Sequence, residues 1–236
     1  MELYTRLYFS PKLEYNIYNS IERRYEKMRI DWLGHACFLI TSSSGLRIIT
    51  DPYEPNIGYS PINESADIVT VSHDHFDHNA VKEVKGNPEV VKKSATVKGI
   101  NFKAVETFHD EAKGSKRGRN TVFVFEVDGV KICHMGDLGH IPSQEQLREL
   151  GEVNILLIPV GGFYTIDARQ ASEIVSILKP NIVIPMHYKT EKIDFPISGV
   201  EEFLKGKEDV ERLPYLEIDK EKLPAPVKVV VLKNER

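Results

Sequence analysis

Cysteine is nearly absent from this chain, with two in 236 residues, Cys37 and Cys133. Both sit in apolar, strand-like runs, ACFLI and VKICHM, where a cysteine packs as a small hydrophobe, so a disulfide framework is not expected. No stretch approaches the ~18 consecutive apolar residues of a membrane span. The first twenty residues contain no uninterrupted apolar core of signal-peptide type, so a cytoplasmic location is expected. A basic excess is also lacking: 31 Lys and Arg stand against 35 Asp and Glu, a net charge of -4, which argues against a general nucleic-acid binder. Internal repeats and low-complexity tracts are missing too. What remains is ordinary globular material, 41% hydrophobic and 28% charged, enough to bury a core without staples.

The length suits one large domain. Residues 1–28, rich in tyrosine and charge, read as an extension packed on the core, with a helix expected across 14–27; residues 29–236 read as the domain itself. Strand-like runs follow at RIDWLGHACFLI (29–40, read as one strand), LRIIT (46–50), ADIVTVS (66–72), TVFVFEV (121–127), VKICHM (130–135), VNILLIPV (153–160), NIVIPM (181–186) and VKVVVL (227–232). Asp128-Gly129 joins two alternating runs and predicts a type I′ hairpin. Ser143 with Gln146, Asp167 with Gln170 and Ser198 with Glu201 have the spacing of capping boxes that open helices. Hairpins in the middle and strand–helix alternation in the last third predict mixed sheets with helices on their outer faces.

The chemistry concentrates in histidine. Three of the eight fall in SHDHFDH (72–78), directly after an apolar strand and without helical periodicity. At a strand end several side chains can turn inward together, and imidazole nitrogens with a carboxylate suit Zn²⁺, Fe²⁺ or Mn²⁺. His73 and His75 can grip one ion while Asp77 and His78, displaced by the turn, grip a second. Six positions cannot complete two coordination spheres, so further ligands must come from elsewhere. His109, Asp137 and His187 each stand just beyond an apolar run, VETF, VKICHM and NIVIPM, and strand ends converge on one rim.

The pattern His-x-His-x-Asp-His after a strand resembles the signature of the metallo-β-lactamase superfamily. TDP (50–52), FHDE (108–111), MGDLGH (135–140), PVGGFYT (159–165) and PMHY (185–188) extend the likeness in order. With WLGHA (32–36), the chain resembles the branch that includes ascorbate-phosphate lactonases and N-acyl-phosphatidylethanolamine phospholipases. The resemblance implies an α/β fold, an αββα sandwich with mixed sheets and the metals at one edge. It also implies two divalent ions per chain, zinc before manganese or iron: His73, His75 and His109 on the first, Asp77, His78 and His187 on the second, and Asp137 bridging. Asp51 would orient a ligand imidazole, although a turn cap before Pro52 explains it equally well. His35 would be a pocket residue able to donate to substrate or to metal-bound water.

Two cations about 3.5–4 Å apart lower the pKa of a shared water from 15.7 towards roughly 7. A hydroxide held between them, oriented by Asp77 or Asp137, would serve as nucleophile, so the expected activity is metal-dependent hydrolysis of a small anionic ester, lactone or phosphodiester. Cys133 lacks a neighbouring base and is read as packing. Residues 113–120, KGSKRGRN, carry four basic residues and two glycines. They form either an anion cradle, with backbone N–H groups, Arg117 and Arg119 converging on substrate, or a solvated hairpin loop. Tyr164 and Lys189 are further candidates to reach the substrate. Alternation places His134 on an apolar face with Val130 and Ile132, which predicts a satisfied core histidine. His140 reads as a loop residue. The partner expected is a small molecule, with no nucleic acid and room for a homo-oligomer. Two other functions use the same ligand types, a di-iron redox protein and a non-catalytic metal-binding protein.

Overall fold

The computed structural model describes residues 27–234. The helix expected across 14–27, and with it all but the end of the extension, lies outside the described residues. Met28, at the end of that stretch, already opens the first strand and is buried.

The six-stranded sheet contains β1 (Met28–Gly34), β2 (Cys37–Thr41), β3 (Arg47–Thr50), β4 (Ile68–Thr70), β5 (Glu89–Val91) and β13 (Leu216–Ile218), in the order β13-β1-β2-β3-β4-β5. The eight-stranded sheet contains β6 (Ala95–Val97), β7 (Ile100–Phe108), β8 (Arg119–Val127), β9 (Val130–His134), β10 (Ile155–Pro159), β11 (Ile182–Met186), β12 (Val210–Leu213) and β14 (Lys228–Leu232). Its order is β12-β14-β11-β10-β9-β8-β7-β6. Both sheets mix parallel and antiparallel pairs.

Side-chain alternation explains how the six-stranded sheet carries two cores. Phe38 and Ile40 on β2, Ile48 on β3 and Ile68 on β4 join the main cluster with Phe102, Phe123 and Ile132 of the other sheet. Their neighbours Leu39, Ile49 and Val69 face the opposite way, onto Tyr53, Tyr59, Ile62, Ile193 and Ile197. Helix α1 (Gln144–Leu150) lies along β7, where Gln146 Nε2 donates to the Glu106 carbonyl at 2.7 Å. Helix α2 (Ala168–Leu178) buries Ala171, Ile174 and Val175 in the cluster that contains β10 and β11. The αββα expectation therefore meets its two sheets and a helical layer. Over the six-stranded sheet's second core, the described residues supply loops and 3₁₀ turns instead of an α-helix.

Asp128 and Gly129 both have positive φ, 50° and 76°, and pair Val127 with Val130 as a type I′ hairpin requires. Ser143 and Asp167 form complete capping boxes. Ser198 does not. Its backbone is held in extended pairing, donating to the Gly161 carbonyl and accepting from the Lys189 amide, so α3 (Glu201–Leu204) starts from Val200 without a side-chain cap. The run 29–40 is likewise two strands, because Gly34 (φ 124°) and His35 (φ 53°) turn the chain between β1 and β2. A side chain on Gly34 would also collide with the Tyr59 ring at 2.6 Å. No helix among the described residues is long and apolar enough to cross a membrane.

Candidate metal centre

Strand direction brings the candidate ligands to one edge. In the eight-stranded sheet β9, β10 and β11 are parallel, and β7, two antiparallel steps from β9, runs the same way. Their C-terminal ends deliver His109, Asp137, the Gly161–Tyr164 stretch and His187 to the same side. In the other sheet β1, β3 and β4 share one direction and end at His35, Asp51 and residues 72–78. Two backbone hydrogen bonds join the sheets there: His187 N to the His35 carbonyl at 3.1 Å, and Thr121 N to the Ser72 carbonyl at 3.0 Å.

The ligand atoms of His73, His75 and His109 lie within 4.8 Å of one another, and so do those of His35, Asp77, His78 and His187. Asp137 stands between these groups. Its Oδ2 is 3.2 Å from His78 Nε2, 3.2 Å from His109 Nε2 and 3.3 Å from His187 Nε2. Gly136 makes this approach possible: a Cβ there would sit 2.4 Å from Asn120 Oδ1 and 2.6 Å from Ser72 Cβ. Asn120 Oδ1 in turn accepts from the Asp137 amide at 2.9 Å, while its Nδ2 donates to Thr107 and the Met135 carbonyl.

Asp51 is fully buried and works as an acceptor for Ser72 and His78. Oδ1 accepts from Ser72 N at 2.8 Å; Oδ2 accepts from Ser72 Oγ at 2.5 Å and from His78 Nδ1 at 2.9 Å. Because the Ser72 hydroxyl donates to Asp51, its oxygen is free to accept from His73 Nδ1 at 2.9 Å. Two imidazoles are thus held with a proton on Nδ1 and with Nε2 turned inward, one directly and one through Ser72. This geometry goes beyond a turn cap.

The electrostatics are those of a site built around positive charge. Desolvation pushes His73 down to about 3, with His78 adding to the effect, and pushes His35 down to about 4, with His187 adding. At His78 burial also opposes the charged form, but the Asp137 and Asp77 carboxylates outweigh it and hold the group well above the ordinary imidazole value. Burial would raise Asp137; His187, His78 and His109 override it and hold the carboxyl well below the usual range. Asp137 Oδ1 and His78 Nε2 are nonetheless buried with no aligned hydrogen-bond partner. Donors sharing an ion at about 2.0–2.2 Å stand roughly 3 Å apart. The orphaned atoms, the nitrogen–oxygen spacing and the donor chemistry all fit a divalent cation.

A cavity of about 270 Å³ opens onto this cluster. His75, Asp77, His109, Asp137 and His187 form its inner wall, and Phe76, Tyr164, Phe195 and Arg117 form its outer wall. His35 is not on either. It is fully buried behind Asp77, donating from Nε2 to Asp77 Oδ2 at 3.1 Å, with its ring 4.0 Å from that of His187. The turn that places it there sets its ring beside Asp77, His78 and His187, whose ligand atoms lie within 4.8 Å of its own.

The basic loop, read from sequence as either an anion cradle or a solvated hairpin, wraps a carboxylate of its own. The Asp110 carboxylate accepts from the backbone N–H groups of Ala112, Gly114, Lys116 and Arg117 at 2.7–3.0 Å. Burial raises its pKa, but these four donors outweigh that and lower it. The amide cradle exists and the chain's own carboxylate fills it, so these N–H groups are not available to a substrate. Arg117 remains at the pocket, with its guanidinium carbon 5.4 Å from the Tyr164 ring centre. Arg119 is on β8, exposed and paired with Glu106 at 3.1 Å. Lys189 binds Asp194 at 3.0 Å and the Phe195 carbonyl at 3.1 Å. Neither Arg119 nor Lys189 lines the cavity.

His134 is fully buried, with Nε2 donating to the Ala36 carbonyl at 2.8 Å, as its apolar face predicts. His140 accepts from Phe108 N and donates to the Ile141 carbonyl, so both ring nitrogens are used locally. Ser72, Asp110, Asn120, Phe76 and Phe195 were not singled out by sequence. Ser72 opens the histidine cluster and Asp110 directly follows His109, adjacencies that could have pointed to them.

The sequence profile of the β-lactamase superfamily domain matches residues 29–187, two thirds of the chain. The chain belongs to the metallo-β-lactamase superfamily. A UPF0173 metal-dependent hydrolase of Thermococcus onnurineus (strain NA1) is 32% identical over 193 residues, 69% of this chain and 85% of the relative. Another, from Methanoculleus marisnigri, is 31% identical over 212 residues, 78% and 89% of the two chains. A solved structure from Thermotoga maritima, described as a candidate Zn-dependent hydrolase of the metallo-β-lactamase superfamily, is 44% identical; the match covers 87% of this chain and 98% of that one with a TM-score of 0.73. Like these relatives, the superfamily member described here is a metal-dependent hydrolase.

Proposed function

We propose that this hydrolase cleaves a small ester, lactone or phosphodiester at a two-metal centre, with zinc as the first choice of metal. The observation that carries the reading is the position of Asp137: one carboxylate oxygen lies 3.2–3.3 Å from imidazoles of both ligand groups while the other is buried without a partner. His73, His75 and His109 would hold one ion, Asp77, His78 and His187 the other, and Asp137 both. Nitrogen-rich donors with carboxylates favour zinc over magnesium or calcium, and the Thermotoga maritima neighbour is described as Zn-dependent. When bound, the ions supply an activated water and Lewis acidity toward the scissile group.

The protein's own groups do the rest. Asp51 and Ser72 keep His78 and His73 in the tautomer that leaves Nε2 unprotonated. His35 fixes one oxygen of Asp77 through a hydrogen bond, which orients that carboxylate without contact to substrate. Arg117, held by the Asp110-capped loop, offers a positive charge on the same cavity as Asp137, which favours an anionic substrate. The cavity's size limits the substrate to a small molecule, since ligand pockets generally run about 300–1,000 Å³. The test is a panel of carboxylic esters, lactones and phosphodiesters assayed before and after chelation and after re-addition of Zn²⁺, Mn²⁺ or Fe²⁺. Hydrolysis lost on chelation and restored by a metal supports the reading; turnover that survives complete metal removal overturns it.

A further inference from the structure

The outer half of the cavity is aromatic, and the metal chemistry does not require that. Phe76 lies inside the histidine motif, between His75 and Asp77, yet its ring is 55% exposed and lines the cavity. Phe163 is 62% exposed, meets Tyr164 edge-on at 4.7 Å, and lines a smaller adjoining cavity of about 190 Å³ that shares Arg117 and Tyr164 with the metal pocket. Its backbone is left-handed, φ 61°, a conformation that costs a bulky residue on the order of 1–3 kcal/mol and persists where the surroundings impose it. Tyr164 and Phe195 stand edge-to-face at 6.2 Å on the pocket wall. Large hydrophobic side chains exposed among the described residues are few, and two of the four belong to this rim.

Charge at the rim is as selective. Arg119 and Lys189 are both neutralised by carboxylates, whereas no described residue pairs with the Arg117 guanidinium, and among the described residues Arg117 is the one Lys or Arg that lines the metal pocket. An unpaired guanidinium against an aromatic wall suits a ligand with a flat apolar group next to a single anionic group.

Resting on the metal centre proposed above, we infer that the substrate carries an aryl or similarly flat apolar group beside one carboxylate or phosphate. The ring is received by Phe76, Tyr164 and Phe195, and the anion by Arg117. These four side chains set specificity, while the histidines and aspartates set the chemistry. A sugar ester or a simple alkyl phosphodiester would leave the aromatic wall in contact with polar groups or water.

Phenylphosphonate and methylphosphonate separate the two halves of the pocket. Any contact of the phosphonate with the ions is common to both and cancels in the ratio of their affinities. Calorimetric titration of the metal-loaded full chain should give phenylphosphonate a Kd about tenfold lower, which corresponds to ~1.4 kcal/mol. Phe76→Ala, at an exposed position that does not threaten folding, and Tyr164→Leu should each shrink that ratio at least threefold. Arg117→Met should weaken both phosphonates by a similar factor and leave the ratio in place. A wild-type ratio near one, or a ratio that Phe76→Ala and Tyr164→Leu both leave unchanged, overturns the inference. Metal content of the same samples reports separately: a chain that takes up fewer than two ions on loading yet keeps the phenyl preference refutes the two-metal reading and not this one.

Discussion

Replacing Asp51 by asparagine keeps the shape of a buried side chain and removes half of its accepting capacity. The carboxylate takes three hydrogen bonds, one on Oδ1 from Ser72 N and two on Oδ2 from Ser72 Oγ and His78 Nδ1. An amide offers one acceptor oxygen, so with that oxygen on the Ser72 amide its NH₂ group faces two donors. The Ser72 hydroxyl can rotate away. His78 can avoid the clash only by moving its proton to Nε2, the atom that faces Asp137 at 3.2 Å, and it then cannot ligate through Nε2. The expected loss of affinity for the ion held by His78 is about 10–100-fold. Stability should fall as well, by about 1.5–3 kcal/mol for each bond lost to a buried charged acceptor. The ion held by His73 should be affected less, because its tautomer is relayed by a hydroxyl that rotates. Competition against a chromophoric chelator resolves the two stepwise affinities, and thermal melting reports the stability. If Asp51→Asn binds both ions as the wild type does, the tautomer argument is wrong.

His134→Gln should lower the melting temperature and leave metal content unchanged, because it removes a ring packed against Phe38 and a bond to Ala36, a loss of about 1–3 kcal/mol; loss of an ion without destabilisation would contradict this. Cys133 is fully buried and desolvation raises its thiol far above the ordinary value. A thiol reagent at pH 8 should therefore label Cys133 only under denaturing conditions, and mass spectrometry finding it labelled in the native protein would refute the packing role.

Much of the site was readable because strand ends are readable. Apolar runs that stop at His109, Asp137 and His187 do end on one edge, and the Asp128-Gly129 hairpin fixed the register that buries His134. The parts that were not readable depend on backbone conformations that side-chain identity does not announce. His35, Asp51, Phe163 and His187 all have positive φ, uncommon for such residues, and the first of these broke an apparent strand into two. The fate of each charge was not readable for a different reason. Lys and Arg residues look alike in sequence, yet Glu106 pairs with Arg119 and Asp194 with Lys189 through tertiary contacts, and only Arg117 is left facing the pocket. Asp110 consumed the very N–H groups that the two loop glycines had suggested for a ligand. Ser198 failed as a cap because tertiary pairing with Gly161 and Lys189 claimed its backbone first.

The central claim is that one carboxylate ties two ions together, and metal stoichiometry tests it most directly. Elemental analysis of the purified wild-type chain, loaded with Zn²⁺ and dialysed, should give two ions per chain. Asp137→Ala, under the same conditions, should give fewer and should lose hydrolysis. Two ions retained in Asp137→Ala with normal turnover, or a wild-type chain that saturates with one, would contradict the account.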